Sequence, residues 1–441
     1  MGRQDKTSLS RALYNRPLLG PSGALPGMPM LATQKSDVGS MAAAGAAGAV
    51  AGRTGAKIAV VGTGVVGLAA ALGCAQRGLQ VTLIGAAPRP YLSAPREARF
   101  DSRIYALSQA SCELLAQLRV WSQIDPARIC AVARMRVFGD DGGKLQFDAY
   151  AAGVERLATI CEESQLLQAL WLGCTMAPGI EHVSREFDAA AFDVDAVRLR
   201  LADGASIDCA LLLGADGKRS SVRAAAGINA RETTYGHTAF VANFDCERSH
   251  HGTAYQWFTD AGIVALLPLP GDCVSLVWSA PNALAPELAS LSAVEFTARV
   301  VHRSRNTLGS LAMMGDKHAF ALDRIAVDRL VRPGAALLGD AAHVVHPLAG
   351  QGLNLGLQDV SEFLRLLEER EPWRELGDLV WLRRYERARA EPIGLMRGTV
   401  DGLARLFDLP DARVRRLRNV GMSAVNALAP VKHALVRHAL G

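Results

Sequence analysis

KIAVVGTGVVGLAAALGCAQRGLQVTLIG, residues 57–85, carries the reading of the fold. Lys57–Val61 is a short β-branched run and reads as a strand; Gly62-Thr63-Gly64-Val65-Val66-Gly67 is the turn that follows. Leu68 to Arg77 is an Ala/Leu helix stopped by Gly78, and Gln80–Ile84 reads as a second strand. Strand, glycine turn, helix and strand in this order make a βαβ unit with the dinucleotide fingerprint GxGxxG in its required context. Gly62 serves the tight turn, Gly64 lets backbone N–H groups reach a pyrophosphate, and Gly67 lets the helix pack close. With Val65 they face the phosphate charge at a helix N-terminus. One part is missing. The second strand should end in an acid that binds the adenosine ribose, yet Gly85-Ala86-Ala87 stands there. Either backbone and water hold the ribose or an acid arrives from elsewhere.

Ile58–Ala75 is apolar enough to raise a membrane span, but four glycines and the βαβ pattern argue against it. Eight scattered cysteines show no metal or disulfide spacing and read as reduced, which implies a cytosol-like compartment. Residues 1–55 are rich in Ala, Gly and Pro and lack a secretory h-region. A disordered leader, or an upstream start, is the favoured reading over a transit segment. The net charge of +5 is concentrated at the end of the chain. From Arg383 onward there are twelve Lys and Arg against five Asp and Glu. Either this is a solvated helical face, or it meets an acidic surface or anionic lipid at the inner face of a membrane. It lacks aromatic interleaving, so nucleic acid is not expected as a partner.

Three further stretches carry chemistry. DSRIYALSQASCELLAQLRVW (101–121) places Arg103 before an amphipathic helix. CALLLGADGKRSSVR (209–223) runs an apolar strand into Asp216-Gly217. LLGDAAHVVHPLAGQGLNLG (337–356) runs another into Gly339-Asp340 and then a glycine-rich helix start. No second GxGxxG occurs, so a separate nicotinamide domain is not expected.

These motifs together closely resemble the flavoprotein aromatic hydroxylases of the p-hydroxybenzoate hydroxylase fold. They look most like its ubiquinone-biosynthesis hydroxylases, the UbiH/VisC group. The similarity runs from about Lys57 to the C-terminus. It implies an FAD-dependent monooxygenase that takes electrons from NAD(P)H and activates O₂ at flavin C4a. The implied substrate is a polyprenylated phenol or quinone precursor of ubiquinone, drawn from a membrane or a lipid-carrying protein complex. Asp340 would accept from the ribityl hydroxyls, and Asp216 and Gly217 would lie by the pyrophosphate and the NAD(P)H path. Arg103 would sit by the flavin. Glu163 would stand at a flavin-facing helix start, where relatives tend to carry an amide. Gly339, Gly350, Gly352, Leu353 and Asn354 would bring the helix N-terminus to the flavin N1/O2 edge.

His343 and His346 have the spacing of a helical metal pair, but no third ligand is near, so no metal is expected. Fixing the loop is favoured over an acid–base role. His250 and His251 are expected at a rim, and Asp140–Gly143 as a hairpin turn. The expected architecture is α/β. A discontinuous Rossmann-like FAD domain takes 56–130, 155–226 and 325–370. A mostly antiparallel substrate sheet takes 131–154 and 227–324, and a helical region takes 371–441. The alternatives are a hydroxylase of a small aromatic acid, for which Arg231, Tyr235 and Arg248 are the only anchors in sight, and a flavoprotein scaffold without turnover. A flavin halogenase is disfavoured because no WxWxIP segment occurs.

Overall fold

A computed structural model of the chain describes residues 57–89, 100–194, 196–345, 351–408, 411–428 and Lys432. The leader expected over 1–55, His346, Gly350 and most of the segment after Pro430 lie outside the described residues. The described residues belong to one compact unit, Arg53–Gly441.

The fingerprint strand Lys57–Val61 is the hub of a six-stranded sheet. It pairs in parallel with Gln80–Ile84 on one side and Leu211–Gly214 on the other. Ile180–Val183 extends the first side, Ala335–Leu337 the second, and Val331–Arg332 closes the edge antiparallel. Parallel strands covered on both faces are apolar throughout rather than alternating, and Ile58, Ala59, Val60, Leu211, Leu212 and Leu213 are indeed fully buried. The apolar run that raised a membrane span is therefore one core strand plus the helix Val65–Gln76. Among the described residues, no helix is long and apolar enough to cross a membrane. Helices Val65–Gln76, Glu163–Met176 and Gln351–Glu368 share this core with Leu199 and Leu201 of a three-stranded meander over 187–209. The eight cysteines are unpaired, and burial pushes the thiols of Cys74, Cys161 and Cys174 up to about 12.

An eight-stranded sheet stands against this layer, its strands drawn from 134–148, 230–327 and the short pair His343–Val344. All its pairings are antiparallel except that of Thr253–Thr259 with Arg134–Phe138. Alternation sorts its residues by face. Trp257, Val264, Leu266, Val274, Leu276 and Trp278 pack on Phe296 and Val300 of the helix Ala293–Arg303. That helix begins at a capping box between Ser292 and Glu295. Their neighbours Ala254, Gln256, Ile263, Ala265, Ser275 and Val277 face the other way, into a cavity.

The last elements among the described residues are the helices Leu379–Asp408 and Ala412–Ala427. The first buries Trp381, Leu382 and Tyr385 in the core beneath the six-stranded sheet. Further along it lays Met396, Val400 and Phe407 on Val137, Phe258 and Ile263, where Met422 of the last helix joins them. The basic excess of this region is not all outward. Arg389 and Arg418 are buried in ion pairs.

Candidate active site

A cavity of about 1030 Å³ runs from the fingerprint turn to the inner face of the eight-stranded sheet. Gly62, Gly64 and Val65 line its first end. Gly62 holds φ +116°, and a Cβ there would sit 2.2 Å from the Ala215 carbonyl oxygen. No side chain caps the first turn of Val65–Gln76, so its N–H groups are available to a ligand. Gly67 lies behind the wall, where a Cβ would approach the Gly62 carbonyl oxygen to 2.0 Å. Its task is helix–strand packing.

The two other strand ends meet the same space. Asp216 Oδ2 accepts from the N–H groups of Ser221 (2.7 Å) and Val222 (3.1 Å), and Gly217 follows at φ +78°. Asp216 Oδ1 is buried without a partner among the described residues. Arg223, also buried, donates to the Lys218 and Ala341 carbonyls at 3.0 Å each and ties this corner to the next. Asp340 lines the cavity, and its exposed surface faces that interior. Burial raises its carboxyl pKa, while His343, Arg103 and Lys218 pull it back. Gly339 stays behind it, packed on Val66, and donates its N–H to Asp359 at 2.9 Å.

That N–H belongs to a buried charge cluster. Asp359 Oδ2 lies 2.6 Å from His343 Nε2, and Asp359 Oδ1 accepts from Arg389 Nε at 2.7 Å. Arg389 also donates to the Leu355 carbonyl at 3.2 Å. Burial alone would raise the Asp359 pKa, yet His343 and Arg389 hold it below the usual carboxylate range. His343 is therefore a support of the corner, its ring turned to Asp359 and away from the cavity. Among the described residues, no group of three His, Cys, Asp or Glu is placed to hold a metal.

Arg103 and Glu163 both line the cavity but face each other. Glu163 Oε1 accepts from Arg103 at 3.1 Å and from the Tyr105 hydroxyl at 2.9 Å. Gln351, Gly352, Leu353 and Asn354 open the helix Gln351–Glu368 at the cavity wall. Asn354 clamps this wall, accepting from Ser108 N–H and the Ser111 hydroxyl and donating to the Ala106 carbonyl. A Cβ on Gly64 or Gly352 would meet nothing within 4 Å. The groove is thus open along both helix starts and polar at Asp216 and Asp340, which fits a ligand carrying phosphates and hydroxyls.

Toward the sheet the lining is largely apolar, with Val132, Met135, Phe147, Ile160, Ile263, Leu267, Val277 and Leu322, and with Gln256, Ser275 and Ser279 as its polar members. The lysines and arginines of the lining, Arg103, Arg185, Lys218 and Arg219, come from the loops of the six-stranded layer and from the segment before the helix at 109–117. Arg231, Tyr235 and Arg248 are not part of it; Tyr235 instead donates to Asp401 at 2.8 Å. One expectation is corrected: His250 does not sit at a rim. It is buried, with Nε2 at 2.9 Å from both the Leu269 and Gly271 carbonyl oxygens, because it pins the turn at 271. His251 alone stays exposed, in the turn at φ +47°.

Sequence reading missed Asp359, Arg389 and Tyr105, and it also passed over Glu186, which lines the cavity. For Asp359 a signal existed, since it falls on the same helical face as Leu355, Phe363 and Leu366. A carboxylate in an apolar row asks for a buried partner.

A family profile described as FAD binding domain matches residues 55–392. Ubiquinone hydroxylase UbiL of Rhodospirillum rubrum is 35% identical over 88% of this chain and 90% of that protein. The 3-demethoxyubiquinol 3-hydroxylase of Escherichia coli K12 is 33% identical over 87% and 98%. In fold, p-nitrophenol 4-monooxygenase PnpA from Pseudomonas putida superposes with a TM-score of 0.69 at 16% identity, covering 88% of this chain and 98% of its own. Klebsiella pneumoniae HpxO, solved with FAD and uric acid, gives 0.68 at 16% identity over 87% and 97%. The chain belongs to the FAD-binding-domain family, among relatives that are ubiquinone-biosynthesis hydroxylases.

Proposed function

We propose that this protein is an FAD-dependent monooxygenase that hydroxylates the ring of a polyprenylated phenol or quinone precursor in ubiquinone biosynthesis. The observation that carries the reading is one continuous cavity that starts at a dinucleotide fingerprint and ends on an apolar sheet face. At about 1030 Å³ it exceeds what one small ligand usually fills. There is room for a cofactor and a substrate side by side.

The fingerprint turn and the first turn of Val65–Gln76 would hold the pyrophosphate, with the Asp216-Gly217 corner beside it. Asp340 would accept from the ribityl hydroxyls. The start of Gln351–Glu368 would direct its N–H groups at the flavin edge, where the helix dipole favours negative charge by roughly 1 kcal/mol. When bound, FAD supplies the redox chemistry, taking electrons from NAD(P)H and delivering one atom of O₂ to an electron-rich ring. The residues of the sheet face do the rest by keeping water out and the ring in place.

The apolar lining favours a prenylated substrate over a small aromatic acid, because Arg231, Tyr235 and Arg248 all lie elsewhere. The C-terminal helices supply the contact with a membrane or a biosynthetic complex. Leu395, Leu403, Leu417 and Val420 are exposed there, alongside the exposed Arg413 and Arg416. Purified protein should oxidise NAD(P)H faster when a prenylated phenol is added and should form hydroxylated product. Flavin binding with no stimulation by any phenol would overturn the enzymatic reading in favour of a scaffold.

A further inference from the structure

The strand end that should carry the ribose acid is closed to one. Gly85 holds φ +144°, and a Cβ there would lie 3.1 Å from Thr63 Cγ2 and 3.2 Å from Thr63 Oγ1. The Thr63 hydroxyl is fixed by donating to the Ala86 carbonyl at 2.6 Å. A side chain at 85 would strain the backbone and meet an anchored neighbour.

The next strand in the sheet ends at the same edge. Val183 pairs with Ile84, and the Gly85 N–H donates to the Val183 carbonyl at 3.1 Å. His182 Nε2 lies 2.9 Å from the Gly85 carbonyl oxygen, so the two strand ends are joined. Past Val183 the chain turns, with the Arg185 N–H on the Val183 carbonyl at 2.9 Å. Arg185 is drawn to Asp203 at 2.7 Å. Glu186 has its backbone pinned by Ala202, whose N–H donates to its carbonyl at 3.0 Å. Its carboxylate makes no hydrogen bond or ion pair among the described residues. Glu186 lines the cavity together with Gly62, Thr63, Gly64, Ile84 and Gly85.

We infer that Glu186 is the missing acid: its carboxylate accepts from the adenosine ribose hydroxyls of FAD, in place of the residue that Gly85 cannot be. The inference rests on the FAD reading above. It moves a function from the end of one parallel strand to the end of its neighbour, at the carboxyl edge where ligands of such sheets bind.

The test uses full-length protein stripped of flavin and titrated with FAD, with FMN, and with an FAD analogue lacking the 2′-hydroxyl of its adenosine ribose. Glu186→Gln and Glu186→Ala should weaken FAD by on the order of ten- to a hundredfold, the range for a hydrogen bond to a charged group. FMN has no adenosine, so its affinity should not change; it also reports intact folding of the flavin end. The deoxy analogue should bind wild type less well than FAD does, and Glu186→Gln should no longer distinguish the two. Unchanged FAD affinity in both variants would overturn the inference, as would equal losses for FAD and FMN. If the wild-type protein binds no FAD at all, the flavin reading itself falls, which is a different result.

Discussion

Asp340 carries a cost along with the role proposed for it. Burial raises its carboxyl pKa above the ordinary value, against the pull of His343, Arg103 and Lys218. An acid whose pKa rises on folding contributes stability that is complete below its unfolded pKa and lost as pH climbs through the folded value. Above the ordinary aspartate range Asp340 therefore weighs against the flavin-free fold. Asp340→Ala should lose most of the bound flavin while raising the Tm of the flavin-free protein at pH 7; visible absorbance and calorimetry read the two effects. Full flavin occupancy in the variant would show that Asp340 is dispensable. At this scale much was legible. The spacing of the fingerprint made the tight turn at Gly62 and the close helix packing at Gly67 legible, because one backbone geometry demands both. Glu163 was legible as a cavity residue, but not its engagement with Arg103 and Tyr105, which lie 60 and 58 residues away. Periodicity carries no information about such pairs.

At the scale of elements, the helix Ala412–Ala427 meets the hairpin over 134–148 through Arg418, Asn419, Met422 and Asn426, with Asn419 at the turn. Asn419 Oδ1 accepts from the Gly143 N–H at 3.0 Å, Asn419 Nδ2 donates to Asp140 at 2.8 Å, and Arg418 pairs with the same carboxylate. A Cβ on Gly143 would come within 2.5 Å of Asn419 Oδ1 and 3.0 Å of its Cα. The obstacle includes backbone, so Gly143→Ala should push the helix off and cost about 1–3 kcal/mol, as overpacking does. The expected outcome is a lower Tm and earlier proteolytic release of the C-terminal helix, with flavin content unchanged. A variant as stable and as protease-resistant as wild type would show that the contact is loose. The hairpin turn at 140–143 was evident from its Asp-Asp-Gly-Gly composition, a local signal. What lands on it was not, because charge counting reads Arg418 as one more outward cation when it is buried on Asp140 and on the Phe407 ring.

At the scale of the whole molecule, the two sheets were legible as a βαβ core plus an alternating-strand layer, since period and turn residues are local. Their closure was not. Asp359 takes part in it, joining the short strand His343–Val344 through His343 and the helix Leu379–Asp408 through Arg389. Folding lowers the Asp359 pKa, so its contribution is present above the ordinary aspartate range near 4 and is lost as pH falls through the folded value. Asp359→Asn should lose about 3–5 kcal/mol at pH 7, because Arg389 is left buried and unpaired. The gap between the denaturation midpoints of variant and wild type should narrow as pH falls below the ordinary aspartate range, where the contribution of the ionised carboxylate is progressively lost; a pH-independent gap would mean that the change is one of packing alone. The same link sets an order of events during synthesis. The corner is opened by residues near 57 and closed by Arg389, more than three hundred positions later. A ribosome must release nearly the whole chain before the corner can close, long after the strand Lys57–Val61 has met Gln80–Ile84 and then 211–214. Closure of the corner is thereby placed at the end of synthesis, and until then Asp359 has His343 but not Arg389 as its partner.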